Sequence, residues 1–258
     1  MVALDTSALL DLAVEVATAA GNELLSRRDD AGQVDHKSSA TDPVSEADRA
    51  AERRITEALS SARPDDGLLG EEGADRHGST GLRWVIDPLD GTVNYLYGIP
   101  AWSVSIACED EHGALVGAVI DPSRQETFSA VRHQGASRNG QPLRVNEPVE
   151  LAGALLATGF SYDSEIRRRQ AATLAFLLPQ VRDIRRIGSA ALDLCAVAAG
   201  RVDAYYEDTT ARWDWAAGAL VATEAGAVVT PLASGLLAAG PSLHTGLSAL
   251  LAEAQARA

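Results

Sequence analysis

Asp87-Pro88-Leu89-Asp90-Gly91-Thr92 follows directly on the apolar run 82–86, which contains Trp84 and Val85. A short apolar run bounded by proline and glycine reads as a buried strand, expected to stop where the first carboxylate appears. Pro88 fixes φ and lacks an N–H, so the chain should leave the sheet there with the Leu89 carbonyl oxygen free. Gly91 permits close backbone approach, and the amides of Gly91 and Thr92 can open a helix whose N-terminus faces an anion. Two carboxylates, a carbonyl and an amide pair then gather at one strand end, a geometry suited to a hard metal ion and a phosphate. A solvated turn or a helix cap is the plainer reading of an isolated Asp-x-x-Asp, so the rest of the chain must decide.

With 258 residues and 46% hydrophobic content, the chain can bury a sizeable core as one large domain or two closely packed halves. A formal charge of -14 and a pI near 4.7 argue against non-specific nucleic-acid binding and are compatible with a carboxylate-lined site that needs cations. Residues 1–25 carry Asp5, Asp11, Glu15 and Glu23 among apolar positions, which reads as an amphipathic helix rather than a signal peptide. No stretch reads as a membrane span. Cys108 and Cys195 lie far apart, as expected of buried thiols in a reducing cytoplasm, and no His-x-His or His-Glu-x-x-His pattern points to a soft-metal site. Of the 22 basic side chains 21 are arginine, and the single lysine, Lys37, directly precedes the polar segment 38–48. A compact point charge kept at one place is one reading of it. A chance singleton is the other.

Along the chain, a first helix is expected over about residues 5–28, with Leu9, Leu12, Ala13, Val16 and Ala20 on one face, then a loop over 29–42. Pro43 introduces a second helix capped near Ser45, with Ala51, Ile55 and Leu59 inward, and Pro64 closes it. Residues 68–70 form a short strand ending in Glu71 and Glu72. Runs 102–108, 115–121 and 127–131 read as antiparallel strands, and a soft boundary near Asn146 separates an N-terminal half, 1–146, from a C-terminal half, 147–258. In the second half, helices are expected over about 164–178 and 189–199 and strands over 181–187 and 204–206. A last helix then runs from near Asp214 to Ala225. Alternating helices and strands indicate an α/β or α+β layered architecture.

Carboxylates thus stand at strand ends or helix starts in four places: Asp42 with Asp48, Glu71 with Glu72, Asp87 with Asp90, and Glu207 with Asp214. Together with Trp213-Asp214-Trp215-Ala216-Ala217-Gly218 and Glu224-Ala225-Gly226, these blocks resemble those of the inositol monophosphatase family over residues 37–226. The segments 187–195 and 203–207 bring the resemblance nearest to its bacterial, SuhB-type members. Ser45 stands where the family often has threonine, which keeps the hydroxyl.

The resemblance implies a layered αβαβα sandwich and a Mg²⁺-dependent, lithium-sensitive hydrolase acting on phosphate monoesters, usually a homodimer. By the same resemblance, the metal ligands fall on Glu71, Asp87, the Leu89 carbonyl, Asp90 and Asp214. These are all oxygen donors, as Mg²⁺ requires. Asp214 also reads as a helix cap. Glu71 and the Thr92 hydroxyl, oriented by Asp48, would position and deprotonate the attacking water, while the amides of Gly91 and Thr92 hold phosphate oxygens. Lys37 and Asp42 match a loop that helps a third ion or the phosphate, a solvated lysine and a turn aspartate being the plain alternatives. Glu207 would accept ring hydroxyls, with Asp90, Asp214 and the backbone at Ala190 sharing the polyol. Arg185, next to Arg186, is a candidate for substrate phosphate or a dimer interface, with an exposed ion pair as the alternative. Residues 208–212 follow no interpretable pattern.

The reading is a cytoplasmic phosphatase for myo-inositol 1-phosphate, a small-molecule substrate, with no membrane and no direct nucleic-acid partner. Fructose 1,6-bisphosphate, histidinol phosphate and 3'-phosphoadenosine 5'-phosphate are the rival substrates within the superfamily. A regulatory binding protein, for instance a partner of the transcription machinery with secondary phosphatase activity, is the rival from another class.

Overall fold

The strand that carries the two aspartates does not end at the first of them. In the computed structural model, which describes residues 5–27, 34–36 and 43–257 (34–36 and 43–45 by backbone alone), β5 runs from Arg83 to Asp90. The elements before it in the chain are α1 (Thr6–Ser26), β1 (Val34–His36), β2 (Pro43–Ser45), α2 (Glu46–Ala62), β3 (Gly67–Gly70) and β4 (Asp75–Arg76). After it come α3 (Thr92–Leu96) and β6 (Ser103–Asp110). Opposite β6, Asp87 pairs with Ser105 and Asp90 with Ser103, so three steps on β5 match two on its partner. This bulge corrects the expected exit at Pro88. A bulge leaves one position without a ladder bond, which is where a strand tolerates proline, and it re-aims the neighbouring side chains.

The first sheet also contains β7 (Gly113–Asp121), β8 (Glu126–Val131), β9 (Gly135–Arg138) and β10 (Gln141–Pro142), in the order β10-β9-β8-β7-β6-β5-β3-β4. Only β3 and β5 pair in parallel. Period-two alternation along β5 sorts the core. Trp84 and Ile86 join Leu9, Val16 and Leu24 of α1 and Ile55 and Leu59 of α2 on one face, whereas Val85 faces the other.

Val85 meets two helices, α5 (Ala190–Ala198) and α6 (Arg212–Glu224), through Ala191, Cys195, Ala217 and Val221. On their other side the same helices set Leu194, Val197, Ala219 and Ala222 against a second sheet. That sheet is built from β11 (Leu155–Thr158), β12 (Asp183–Arg185), β13 (Ala204–Glu207), β14 (Val228–Leu232) and β15 (Gly235–Ala239), in the order β12-β11-β13-β15-β14. Its far face is covered by α4 (Ser164–Leu177) and α7 (Pro241–Arg257), which contribute Leu177, Leu243, Leu247 and Leu251. The result is the layered αβαβα sandwich expected. Helices buried on both sides need apolar residues all round, and small ones where two sheets close in, which explains the alanine-rich stretches of α5 and α6.

Some element boundaries shift. The strand expected over 181–187 is only Asp183–Arg185, and α6 starts ahead of Asp214, at Arg212. The helix ending near Ala225 is not the last, since the hairpin β14–β15 and α7 follow it. Within the segment expected to be a loop lies β1, and it pairs antiparallel with β2, which occupies residues 43–45 just ahead of α2. Among the described residues no helix is long and apolar enough to cross a membrane.

A buried carboxylate locks the α2–β3 turn. Asp66 accepts hydrogen bonds from Arg63 Nε at 2.8 Å, Thr80 Oγ1 at 2.7 Å and Trp84 Nε1 at 3.0 Å. Burial pushes its pKa up, but the hydrogen bonds from Arg63, Thr80 and Trp84 prevail and hold it below the ordinary carboxylate value. Its contribution to stability is therefore present above the unfolded-state pKa of about 4 and is lost as pH falls through the folded-state value. Asp66→Ala should lower the unfolding free energy by about 3 kcal/mol at neutral pH, because it strands Arg63 and Trp84. Urea titrations at descending pH should show the gap between the two proteins closing in acid. A gap that holds constant down to about pH 3 would contradict this account.

Candidate active site

A cleft of about 440 Å³ brings together the end of β3, the bulged end of β5, α3, the N-terminus of α5, the end of β13 and the start of α6. Glu71 lies one residue past β3, where its N–H donates to the Ile86 carbonyl at 3.2 Å. The turn that follows is held from behind by Glu52 of α2, whose carboxylate accepts the N–H groups of Glu72 at 2.8 Å and Ala74 at 3.0 Å. Asp87 is buried, and its Oδ1 accepts the Leu89 N–H at 3.0 Å.

The Thr92 hydroxyl lies 2.9 Å from Asp48 Oδ1 and 3.1 Å from the Leu89 carbonyl oxygen. Between these, Gly91 adopts φ 95°, and a Cβ there would stand 3.0 Å from the Ala101 carbonyl and 3.1 Å from that of Gly188. Only glycine fits both the conformation and the space.

Asp90 is gripped by the second half of the chain. Ser189 Oγ donates to its Oδ2 at 2.5 Å and the Ala191 N–H at 2.7 Å, while the Ala190 N–H reaches Oδ1 at 3.3 Å. Orphan amides at a helix start favour a carboxylate there. Asp214 is the third residue of α6, and its Oδ2 accepts the Ala211 N–H at 2.7 Å, so it closes its own helix start. Glu207 ends β13 and accepts from the Tyr205 hydroxyl at 3.0 Å.

Burial pushes Asp87 well above the usual carboxylate range, and repulsion from Glu71, Asp90 and Asp214 adds to it. Asp214 is raised in the same way, by burial and then by Asp90 and Glu71. Asp90 is pushed up to about 6 by burial, with Ser189 and Ala191 opposing. Burial takes Glu207 up to about 7, against the pull of Tyr205 and Arg186. Among the described residues lining the cleft, Arg186 is the sole cationic side chain. Oxygen donors that disfavour one another's ionisation are a donor set that fits a hard divalent cation. Glu71, Asp87, Asp90, Asp214 and the Leu89 carbonyl could hold one. Among the described residues no three His, Cys, Asp or Glu side chains stand in a ready-made metal cage, so these donors would have to draw together around the ion.

Of the residues singled out in the sequence, Glu71, Asp87, Leu89, Asp90, Gly91, Thr92, Ala190, Glu207 and Asp214 all line this cleft, and Asp48 reaches it through Thr92. Arg185 does not. It ends β12, bonds the Asp183 carboxylate at 2.7 Å and lines a separate depression with Arg124 and Arg201. The next residue, Arg186, lines the cleft instead, because the chain has left the strand and turned. Lys37 and Asp42 lie outside the described residues.

Sequence reasoning missed Glu52, Ser189 and Asp193. Glu52 was detectable, since it falls on the inward stripe of α2 with Asp48, Ala51, Ile55 and Leu59. Asp193 was detectable too, as an acid inside the apolar run of α5. It is buried, its Oδ1 lacks a hydrogen-bond partner, and burial raises its pKa well above the ordinary value.

The family model described as the inositol monophosphatase family matches residues 5–257. The chain belongs to that family. As an inositol monophosphatase family member it is a phosphatase. It is 48% identical over 236 residues to the inositol-1-monophosphatase SuhB of Mycobacterium tuberculosis, covering 85% of this chain and 81% of that one. A Pseudomonas aeruginosa protein named Nus factor SuhB is 46% identical over 231 residues, covering 86% and 84% of the two chains. Among solved structures, the extragenic suppressor protein suhB of Bartonella henselae superposes with a TM-score of 0.89 at 37% identity, over 95% of this chain and 98% of that one. The inositol monophosphatase of Anabaena gives 0.83 at 36% identity, over 96% of each.

Gly159 is packed against the Glu207 carboxylate so tightly that a methyl group would collide with it. Gly159→Ala should therefore push the Glu207 carboxylate out of place and, if that carboxylate contacts the substrate, raise KM by about tenfold, the equivalent of roughly 1.4 kcal/mol of binding. Steady-state kinetics would check this, and an unchanged KM would show that Glu207 plays no part in binding.

Proposed function

We propose that the protein is a Mg²⁺-dependent phosphomonoesterase that hydrolyses myo-inositol 1-phosphate to inositol and phosphate. The observation that carries this reading is that Glu71, Asp87, Asp90, Asp214 and Glu207, from four separate parts of the chain, line one cleft edged by the Thr92–Asp48 hydrogen bond. In this reading Glu71, Asp87, the Leu89 carbonyl, Asp90 and Asp214 hold Mg²⁺, with Lys37 and Asp42 assisting a further ion or the phosphate. Bound Mg²⁺ supplies the positive charge that makes a water acidic near neutral pH and offsets charge on the departing alkoxide.

The chain's own groups do the rest. Thr92 has one hydroxyl proton, and donating it to Asp48 leaves a lone pair to accept a hydrogen bond from the attacking water. Glu71 takes that water's proton. The amides of Gly91 and Thr92 hold phosphate oxygens in line for displacement. Glu207, with Asp90, Asp214 and the backbone of Ala190, accepts hydrogen bonds from the polyol hydroxyls. A wall of carboxylates suits a ligand rich in O–H donors and repels a second phosphate, which favours a polyol monophosphate over a bisphosphate or nucleotide. A cytoplasmic, lithium-sensitive homodimer whose two halves meet near Asn146 and work as one unit belongs to the same reading.

A second reading has support from the relatives named Nus factor SuhB. In it the chain is chiefly a partner of the transcription machinery, and hydrolysis is secondary.

Phosphate release from inositol 1-phosphate, fructose 1,6-bisphosphate, histidinol phosphate and 3'-phosphoadenosine 5'-phosphate, each as a full kcat/KM, should rank the first highest. A higher value for any rival would replace the substrate named here. Thorough chelation should abolish turnover and added Mg²⁺ should restore it, so activity that survives chelation removes the metal from the scheme. Asp90→Asn should cut kcat/KM by about 10³-fold or more, the several kcal/mol a metal ion contributes. If a strain carrying that variant grows as wild type while a deletion strain does not, the second reading prevails.

A further inference from the structure

Two loops border the mouth of the cleft, residues 159–163 between β11 and α4 and residues 208–211 between β13 and α6. One side chain of α4 touches both. Gln170 is buried, its Oε1 accepts the Ser161 N–H at 2.8 Å, and its Nε2 donates to Asp208 Oδ1 at 2.6 Å and Thr209 Oγ1 at 3.1 Å. Ser161 and Thr209 line the cleft, whereas Gln170 stands behind them and does not. Arg167, one turn earlier on α4, adds a hydrogen bond to the Ser161 carbonyl at 2.9 Å.

From this geometry we propose that Gln170 is a positioning residue, which fixes the spacing of the two mouth loops and so decides which alcohol the phosphatase accepts. The proposal rests on the phosphomonoesterase reading above, in which Glu207, next to the 208–211 loop, accepts hydrogen bonds from the alcohol half of the substrate.

The chemistry of the junction calls for an amide. One loop offers an N–H donor and the other a carboxylate acceptor, and a neutral side chain with one acceptor and two donors satisfies both at once. Glutamate could still accept from Ser161 but would set a second carboxylate against Asp208, forcing the loops apart. An apolar side chain would leave the Ser161 N–H and the Asp208 carboxylate unpaired. The 208–211 loop also runs from Glu207 to the start of α6, so its position sets how far the hydroxyl-accepting carboxylate stands from Asp214. This gives the first two residues of the 208–212 stretch a role, since Asp208 and Thr209 are the acceptors that α4 holds.

The test uses the full-length protein with inositol 1-phosphate and the smaller glycerol 2-phosphate. Gln170→Glu should raise KM for inositol 1-phosphate by about tenfold, with kcat and the Mg²⁺ dependence within about twofold of wild type and a lesser effect on glycerol 2-phosphate. Adding Asp208→Asn restores a donor facing the new carboxylate and should return KM to within about twofold of wild type. A KM that does not move, an equal rise for both substrates, or a double variant no better than the single one overturns the proposal. Should Gln170→Glu fail to fold, Gln170→Met fills the same volume without the three hydrogen bonds, and the same selective KM rise is expected. Failure of the substrate reading is separate, because it appears in the wild-type protein as poor hydrolysis of inositol 1-phosphate. The comparison is then run with the largest and smallest esters the wild type does cleave.

Discussion

The carboxylate of Asp90 leaves the end of a bulged strand in the first sheet and is met by the Ser189 hydroxyl and the amides that open α5, about a hundred residues later in the chain. Everything that lines the cleft depends on this meeting. It seats α5 against the strand that carries Asp87, and α6, packed beside α5 between the two sheets, brings Asp214 to the same place. Helix-start amides and a hydroxyl are among the few uncharged groups that can hold a buried carboxylate, and here they leave the cleft's net charge negative. Strand β5 and helix α5 are therefore joined at the site itself.

Concentrating acids in this way opposes folding. Burial raises the pKa of Asp87, Asp90, Asp193, Glu207 and Asp214, and most of them also feel one another's charge. The cost is confined by surrounding them with fixed partners: Glu52 behind the Glu71 turn, Asp48 under Thr92, Tyr205 on Glu207 and Ala211 on Asp214. Rigid neighbours keep like charges near each other without letting them relax into solvent, which is how a site is preorganised for a cation and a charged substrate. Stability is supplied elsewhere, in the apolar layers on either side and in local locks such as the Asp66 turn.

Most of the fold was legible because its signals are local. The apolar run 82–86, the inward stripe of α2 and the glycines that end apolar runs follow from residue pattern and backbone sterics. What was misread depended on neighbours. Pro88 looks like an exit from a sheet, yet a bulge against Ser103 and Ser105 keeps the strand paired through it. Helix α7 is a different case, since Leu243, Leu247, Leu250 and Leu251 recur at helical spacing and the helix was legible though it was not read. Arg185 and Arg186 are adjacent and chemically identical. The end of β12, not their chemistry, sends one to Asp183 and the other to the cleft.

By itself, the order of residues determined which side chains are candidates for chemistry here: oxygen donors in spaced pairs with a hydroxyl beside them. It determined this because ligand type and motif spacing are properties of the chain. Which groups hold those side chains in place was decided only in three dimensions. Glu52, Ser189 and Gln170 act through hydrogen bonds to residues between 9 and 99 positions away, with Ser189 at the long end. Partners at such separations leave no periodicity in the chain, so packing alone assigns them.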